Sequence, residues 1–252
     1  MTAADVIAAL DLPAGARVEQ RVPKKLLLEH GAPTGADKRL INEGIEDLMW
    51  VAALKPTTVG VPDYRDEVRE YVEVAVLRAG LRPGARAERI VELIHRAVPY
   101  PVLLVHEGGH SVGVSAVHKR WSEGEAGATV LDGPVTTVYW DASRALDTWK
   151  PFAEAMAVGR LPRTSLHALY QGWIDTLLAL DAARLTGSFT MSSGVEGAAD
   201  RREALQEWVT LEADITRLRI AAERETQLAR QVELNLELKR LQAAQAACRT
   251  RL

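Results

Sequence analysis

The sequence predicts an α+β fold: an N-terminal mixed sheet with packed helices, then a helical region and a long C-terminal helix or coiled coil. Three observations carry this. Short apolar runs with period-two alternation crowd the first 141 residues. A helical stripe, Ile90, Leu93, Ile94 and Val98, stands between two of those runs. From Ala198 to Leu252 the chain contains neither Gly nor Pro. Strands mixed with helices inside one stretch suit a sheet with helices packed on it.

The elements follow in order. Thr2 caps a small helix that runs through Leu10 and ends at Pro13 and Gly15. Pro23 starts a second short helix, Lys24-Lys25-Leu26-Leu27-Leu28, closed by Gly31. Thr34 and Asp37 form a capping box ahead of Leu40, Ile41, Ile45 and Leu48 at helical spacing. Trp50–Leu54 and Thr57–Val61 read as strand, and Tyr71–Leu77 as a half-buried strand. Ala87–Val98 is a helix. Val102–Val105 and Ser111–Val117 are strands, and Thr129–Leu131 with Val135–Tyr139 is one more, interrupted by Asp132-Gly133-Pro134.

Residues 1–141 are thus expected to form an α+β domain. Residues 142–190 follow as a helical domain, with stripes Trp149, Phe152, Ala155, Met156 and Leu166, Leu169, Tyr170, Trp173, Ile174, Leu177. Ser192-Ser193-Gly194 is a joint. Residues 195–252 form a long helix or coiled-coil arm, about 80 Å if unbroken. Its apolar positions lie on two drifting stripes, so the helix contacts different surfaces along its length or folds back on itself.

His106-Glu107-Gly108-Gly109-His110 spells His-Glu-x-x-His, the pattern that places two zinc ligands and a general base on one helical face. Both flanks alternate as strands, and two adjacent glycines cost a helix about 1 kcal/mol each. A hairpin turn is therefore expected. A metal-dependent hydrolase using His106, His110 and Glu107 or Glu73 remains the alternative.

With 252 residues, 47% hydrophobic and 26% charged, the chain suits one large soluble domain or two small ones. Its net charge of −3 provides no global basic field for nucleic acid. One cysteine, Cys248, excludes an internal disulfide or a cysteine metal cluster and fits a reducing cytosol. The N-terminus lacks a signal-peptide pattern, and no run of some eighteen apolar residues spans a membrane. Aromatics are only 5%, too few for a base-stacking platform.

His118-Lys119-Arg120-Trp121 is the densest basic cluster, suited to phosphate contacts or to a partner protein. Lys24-Lys25 is a weaker basic pair, and Tyr100, held extended between Pro99 and Pro101, is a candidate anchor. Asp63, Asp66 and Glu73 approach the restriction-nuclease pattern, but no Lys follows Glu73 at the required spacing. Neither a phosphate-binding loop nor a Gly-x-Ser-x-Gly elbow occurs, and no cofactor is expected.

Arg21-Val22-Pro23-Lys24-Lys25, Val98-Pro99-Tyr100-Pro101, Ser115-Ala116-Val117-His118-Lys119-Arg120, Leu169-Tyr170-Gln171-Gly172-Trp173, Ala182-Ala183-Arg184-Leu185-Thr186-Gly187 and Gln231-Val232-Glu233-Leu234-Asn235 together resemble a bacterial family known only as domain of unknown function 4391. The resemblance implies a cytoplasmic accessory protein of restriction-like or phage-defence systems, with helicase or DNA methyltransferase subunits as partners. It transfers no catalytic residues. The expectation is a non-catalytic scaffolding subunit that binds a partner protein and DNA, with homo-oligomers through the C-terminal helix.

Overall fold

A computed structural model describes residues 1–144, 147–192 and 194–252, with only the backbone of Val195. Ser193 of the expected joint lies outside the described residues. In chain order the elements are α1 (Ala3–Ala9), β1 (Arg17–Arg21), α2 (Lys24–His30), α3 (Gly35–Gly44), β2 (Ile45–Leu54), α4 (Pro56–Val59), β3 (Tyr64–Arg65), β4 (Glu70–Tyr71) and β5 (Val74–Leu81). They continue with α5 (Ala87–Ala97), β6 (Val102–Gly108), β7 (Ser111–Ala116), β8 (Lys119–Trp121), β9 (Thr129–Leu131) and β10 (Thr136–Asp141). The C-terminal part holds α6 (Trp149–Met156), α7 (Leu166–Thr186), α8 (Gly194–Arg224) and α9 (Leu228–Arg249). The α+β class is as expected. No helix among the described residues is long and apolar enough to cross a membrane.

The six-stranded sheet has the order β1-β2-β5-β6-β7-β10. Neighbours are antiparallel except β5 and β6, which run parallel and are joined through α5. A parallel step needs such a crossover, whereas antiparallel strands turn directly. One face of the sheet, with Ala75, Leu77, Ala79, Leu81, Val102 and Leu104, packs on Leu27, Ile41, Ile90, Leu93 and Ile94 of α2, α3 and α5. On the other face Trp140 packs against Phe152 of α6, and the Tyr170 hydroxyl of α7 donates to the Val102 carbonyl. Two layers of helix therefore cover β5, and every residue in it except Arg78 is buried. This corrects the expected half-buried strand: a strand covered on both faces has no reason to alternate.

Several local expectations change. The Thr34 cap forms, its hydroxyl accepting the Asp37 amide at 3.1 Å, but α3 stops at Gly44 and Ile45 and Leu48 belong to β2. Irregular register between Ile45 and Asp47 shifts the phase of the strand, so residues three apart face the same helices. That bulge mimics helical spacing. Thr57–Val61, expected as strand, begins with the helical turn α4, which has Pro56 in its first turn and closes at Gly60 with φ 63°. Thr129–Leu131 and Thr136–Asp141 are two strands in different sheets, β9 pairing with β8 and β10 with β7.

The chain divides into two compact units, Met1–Leu177 and Leu178–Leu252, with the boundary inside α7. Within the second unit, α8 and α9 form an antiparallel hairpin. Cys248 Sγ donates to the Ala204 carbonyl, Arg251 pairs with Glu207, and Arg201 reaches the Leu252 carbonyl. The C-terminal arm thus folds back on itself. Its reversal uses neither Gly nor Pro: the Glu225 carboxylate accepts the amides of Thr226 and Gln227, at 2.8 and 2.9 Å, where the helix ladder is interrupted.

Candidate functional site

The residues of the basic cluster do not form a cationic surface. Alternation along β8 turns Lys119 inward, leaving it 3% exposed. Its ammonium donates to the carbonyls of His95 and Val98 at the C-terminal end of α5. Those carbonyls have no partner within the helix and carry the negative end of its dipole. Burial lowers the Lys119 pKa to about 8. Lys119 is therefore a structural cap, which removes it from any phosphate-binding role. Arg120 pairs with Glu123 at 3.0 Å, and Trp121 is half-buried.

His118 sits in a polar relay. Asp175 takes the Gln171 amide NH2 at 2.7 Å, which orients the Gln171 oxygen towards His118 Nε2, also at 2.7 Å. Nε2 therefore carries the proton, and His118 Nδ1 accepts from the Tyr71 hydroxyl. His167 stacks on His118, and Tyr64 on His167, each with centroids 4.9 Å apart. Burial lowers the His118 pKa to about 4, so it is neutral at pH 7. Both of its nitrogens are occupied, which makes this cluster a clasp holding β4 and β8 to α7.

Lys24 and Lys25 also separate. The Lys24 ammonium donates to the carbonyls of Asn42 and Ile45, at the end of α3. Burial, with Arg82 and Arg21 nearby, lowers its pKa. Lys25 is exposed and lies 3.6 Å from Glu29. Tyr100 is half-buried in a segment pinned by Thr129, which donates to the Pro99 carbonyl, and by the Ala75 amide on the Pro101 carbonyl.

His106-Glu107-Gly108-Gly109-His110 is a hairpin. Gly108 pairs with Ser111, leaving Gly109 and His110 as the two-residue turn, and Gly109 has φ 62°. The helix that a His-Glu-x-x-His zinc site requires is not formed. His106 and Glu107 point to opposite faces of β6. Glu107 pairs with Arg78, which also lies 3.4 Å from Asp47. His110 is exposed at the tip. Glu73 is buried against Lys55, at 2.9 Å. Among the described residues no three His, Cys, Asp or Glu side chains gather as a metal site.

A cleft does open beside His106. Register places Ala79, His106, Gly113 and Tyr139 in one row across β5, β6, β7 and β10. Gly113, between the two rings, lets them lean together with centroids 5.3 Å apart. A Cβ at Gly113 would lie 2.3 Å from His106 Cε1 and 3.0 Å from Tyr139 Cδ1. The cleft holds about 290 Å3 between this row, the Arg82–Ala87 segment and the Gly108–Ser111 turn. His106 is 2% exposed, and burial lowers its pKa to about 4. Its Nε2 and the Tyr139 hydroxyl are buried without hydrogen-bond partners. Nothing in the sequence analysis singled out Tyr139, Ser111, Arg82 or Arg86. The available signal was Gly113, a glycine inside an alternating strand, which marks close approach.

A second feature lies on α8. Val209, Ala213, Thr216 and Ile220 follow four-three-four spacing and line one shallow hollow with Trp208, Glu212 and Arg217. Val209 is 66% and Ile220 45% exposed. The face packed on α9 is different, with Ile215 and Ala222 buried.

No curated protein and no solved structure matches the chain. Residues 10–244 match the family described as Domain of unknown function (DUF4391), and with nearly the whole length covered the chain belongs to that family.

Proposed function

We propose that the protein is a non-catalytic accessory subunit that assembles through α8, within a bacterial restriction-like or phage-defence system. One observation carries the assembly reading: the exposed apolar stripe of α8 and the charges at its edges. Val209, Ala213, Thr216 and Ile220 fall on the a and d positions of two heptads, with Glu212 at g and Arg217 at e. In a parallel pair of α8 helices, Glu212 of one copy meets Arg217 of the other, twice by symmetry. Each now rests in an exposed intrachain contact, Glu212 with Gln245 and Arg217 with Asp214 at 3.0 Å, which exchange at little cost. Arg219 and Arg224 hold the equivalent positions one heptad on and repel, so the pairing is short and weak.

Helicase or DNA methyltransferase subunits are the further partners that the family resemblance suggests. DNA contact through His118–Trp121 has lost its support, because Lys119 is buried. A hydrolase built on His106, Glu107 and His110 has lost its support as well, because the shared helical face is missing.

Sedimentation velocity over a concentration series tests the assembly. The native chain is expected to gain mass with concentration, and Val209→Glu with Ile220→Glu to remain monomeric. A native chain that stays monomeric throughout rejects the pairing. For the accessory role, a pull-down from the native host should recover a helicase or methyltransferase subunit, and recovery of neither removes that role.

A further inference from the structure

The two edges of the six-stranded sheet are built differently. On β1, Arg17, Glu19, Gln20 and Arg21 are exposed, Glu19 has φ 52°, and the register with β2 slips between Arg17 and Gln20. Charges and a bulge keep an edge from accepting another strand. On β10, six consecutive residues pair with β7 without a slip. Thr136-Thr137-Val138-Tyr139-Trp140 holds only β-branched and aromatic residues, and Asp141 is the one charge of the strand. The Ala142 amide donates to the His110 carbonyl, which fixes the phase of the ladder. The main-chain groups of Thr136, Val138 and Trp140 therefore turn towards β7, and those of Thr137, Tyr139 and Asp141 turn outward. The Asp141 carbonyl accepts the Arg144 amide at 3.1 Å. The outward amides and carbonyls of Thr137 and Tyr139 have no partner among the described residues.

Beside this edge, on the α5 side of the sheet, lies a hollow of about 500 Å3 lined by Arg86, Ala87, Glu88, Arg89 and Tyr139. His106 and the Gly108–Ser111 turn are not part of it, so the Tyr139 ring separates it from the His106 cleft. Arg89 is held by Asp37 and Glu92. Arg86 and Glu88 are both exposed. Burial first, and the Glu88 carboxylate second, raise the Tyr139 pKa, so the acid is the charge felt at that ring. Asp141 projects from the same face as Tyr139. On the opposite face Trp140 lies against the half-buried Trp149, with centroids 6.4 Å apart.

We propose that β10 accepts an extended segment of a partner protein as an added antiparallel strand, with lysine opposite Tyr139 and Asp141 and β-branched residues at the alternate positions. Main-chain hydrogen bonds to Thr137, Tyr139 and Asp141 hold the segment, and the alternating side chains select it. The lysine opposite Tyr139 lays its stem across the ring and brings its ammonium to Glu88. The lysine opposite Asp141 meets a carboxylate whose contact with Arg144, at 3.7 Å, is exposed and exchanges at little cost. The residue between them faces Trp140 and Trp149 and is apolar. The edge belongs to the compact unit Met1–Leu177 and the α8 stripe to the other, so the two proposals stand or fall separately.

The test uses the full chain and the peptide acetyl-Lys-Val-Lys-Ile-Thr-amide, which places its lysines opposite Asp141 and Tyr139. Amide hydrogen exchange and peptide titration are both read by two-dimensional NMR. In the free chain the Thr137 and Tyr139 amides should exchange fast and those of Val138 and Trp140 slowly. Saturating peptide should protect Thr137 and Tyr139. N-methylation of the central lysine removes a donor that faces β10 and should weaken binding about tenfold, whereas N-methylation of the valine, whose amide faces away, should leave it unchanged. A peptide with both lysines replaced by glutamate should bind at least about tenfold more weakly to the native chain. Glu88→Lys should narrow that preference, and a thermal melt establishes that this variant folds. Absence of protection at millimolar peptide, equal binding of the acidic peptide, or equal loss from the two N-methylations overturns the proposal. Protection of Thr137 and Tyr139 that grows with protein concentration alone assigns the edge to a second copy and overturns it as well.

Discussion

The ammonium of Lys119 donates to the main-chain carbonyl of His95, twenty-four residues earlier, and so fastens β8 to the end of α5. Replacing it by Ala strands the His95 and Val98 carbonyls and empties a buried volume. Lys119→Ala should therefore cost about 2–4 kcal/mol of stability. Urea unfolding measures this. Lys119→Met, which keeps the stem but not the donors, separates the packing loss from the hydrogen-bond loss.

Two buried histidines, His95 and His106, and the half-buried His118 predict acid lability. Burial lowers His95 to about 3, and His106 and His118 to about 4, against 6.5 for the free side chain. The unfolded chain therefore binds protons that the folded chain refuses. Their contribution to stability is intact above pH 6.5 and declines as the pH falls from 6.5 towards 4. The slope is about 1.4 kcal/mol per pH unit for each histidine that titrates only in the unfolded state. Unfolding free energies across this range should show it, and His118→Asn should reduce the slope by one proton.

Gly113→Ala is expected to destabilise by about 1–3 kcal/mol, because the new methyl forces the His106 ring aside in a packed layer. At Gly124 an added Cβ meets nothing within 4 Å and φ is not left-handed, so Gly124→Ala should be close to neutral. Combining Gly113→Ala with His106→Ala should recover part of the loss. A thermal denaturation cycle over the four chains reads this coupling.

Charge reversal on α8 separates self-pairing from a different occupant. Glu212→Arg alone, or Arg217→Glu alone, should abolish the concentration-dependent mass, since like charges then face each other across the pair. The double reversal should restore it. A partner with its own fixed charges would show no such rescue, so failure of the double variant to recover counts against pairing between copies.

What the sequence disclosed depended on whether the deciding interaction was local. The hairpin at Gly109 was legible because a left-handed φ has a residue preference. The Thr34 cap was legible because its acceptor and donor lie three residues apart. The end of α3 was not, since the bulge after Ile45 gives a strand the spacing of a helix. The inward turn of Lys119 was hidden for a different reason: its acceptors, the carbonyls of His95 and Val98, lie at the end of a helix far upstream in the chain. The row of His106, Gly113 and Tyr139 required the register of three strands, which no local pattern specifies. The reversal after Arg224 escaped notice because Glu225 performs with a side chain what glycine usually performs with its backbone.

The order β1-β2-β5-β6-β7-β10 rises along the chain without a swap. Each strand that joins the sheet during synthesis finds its neighbour already made and standing at the growing edge. The intervening ribbons, β3 with β4 and β8 with β9, leave the sheet and meet each other through the Trp121 amide on the Val68 carbonyl. A nascent chain can therefore extend this sheet one strand at a time while the ribosome is still working, and nothing made later has to be threaded between strands already joined.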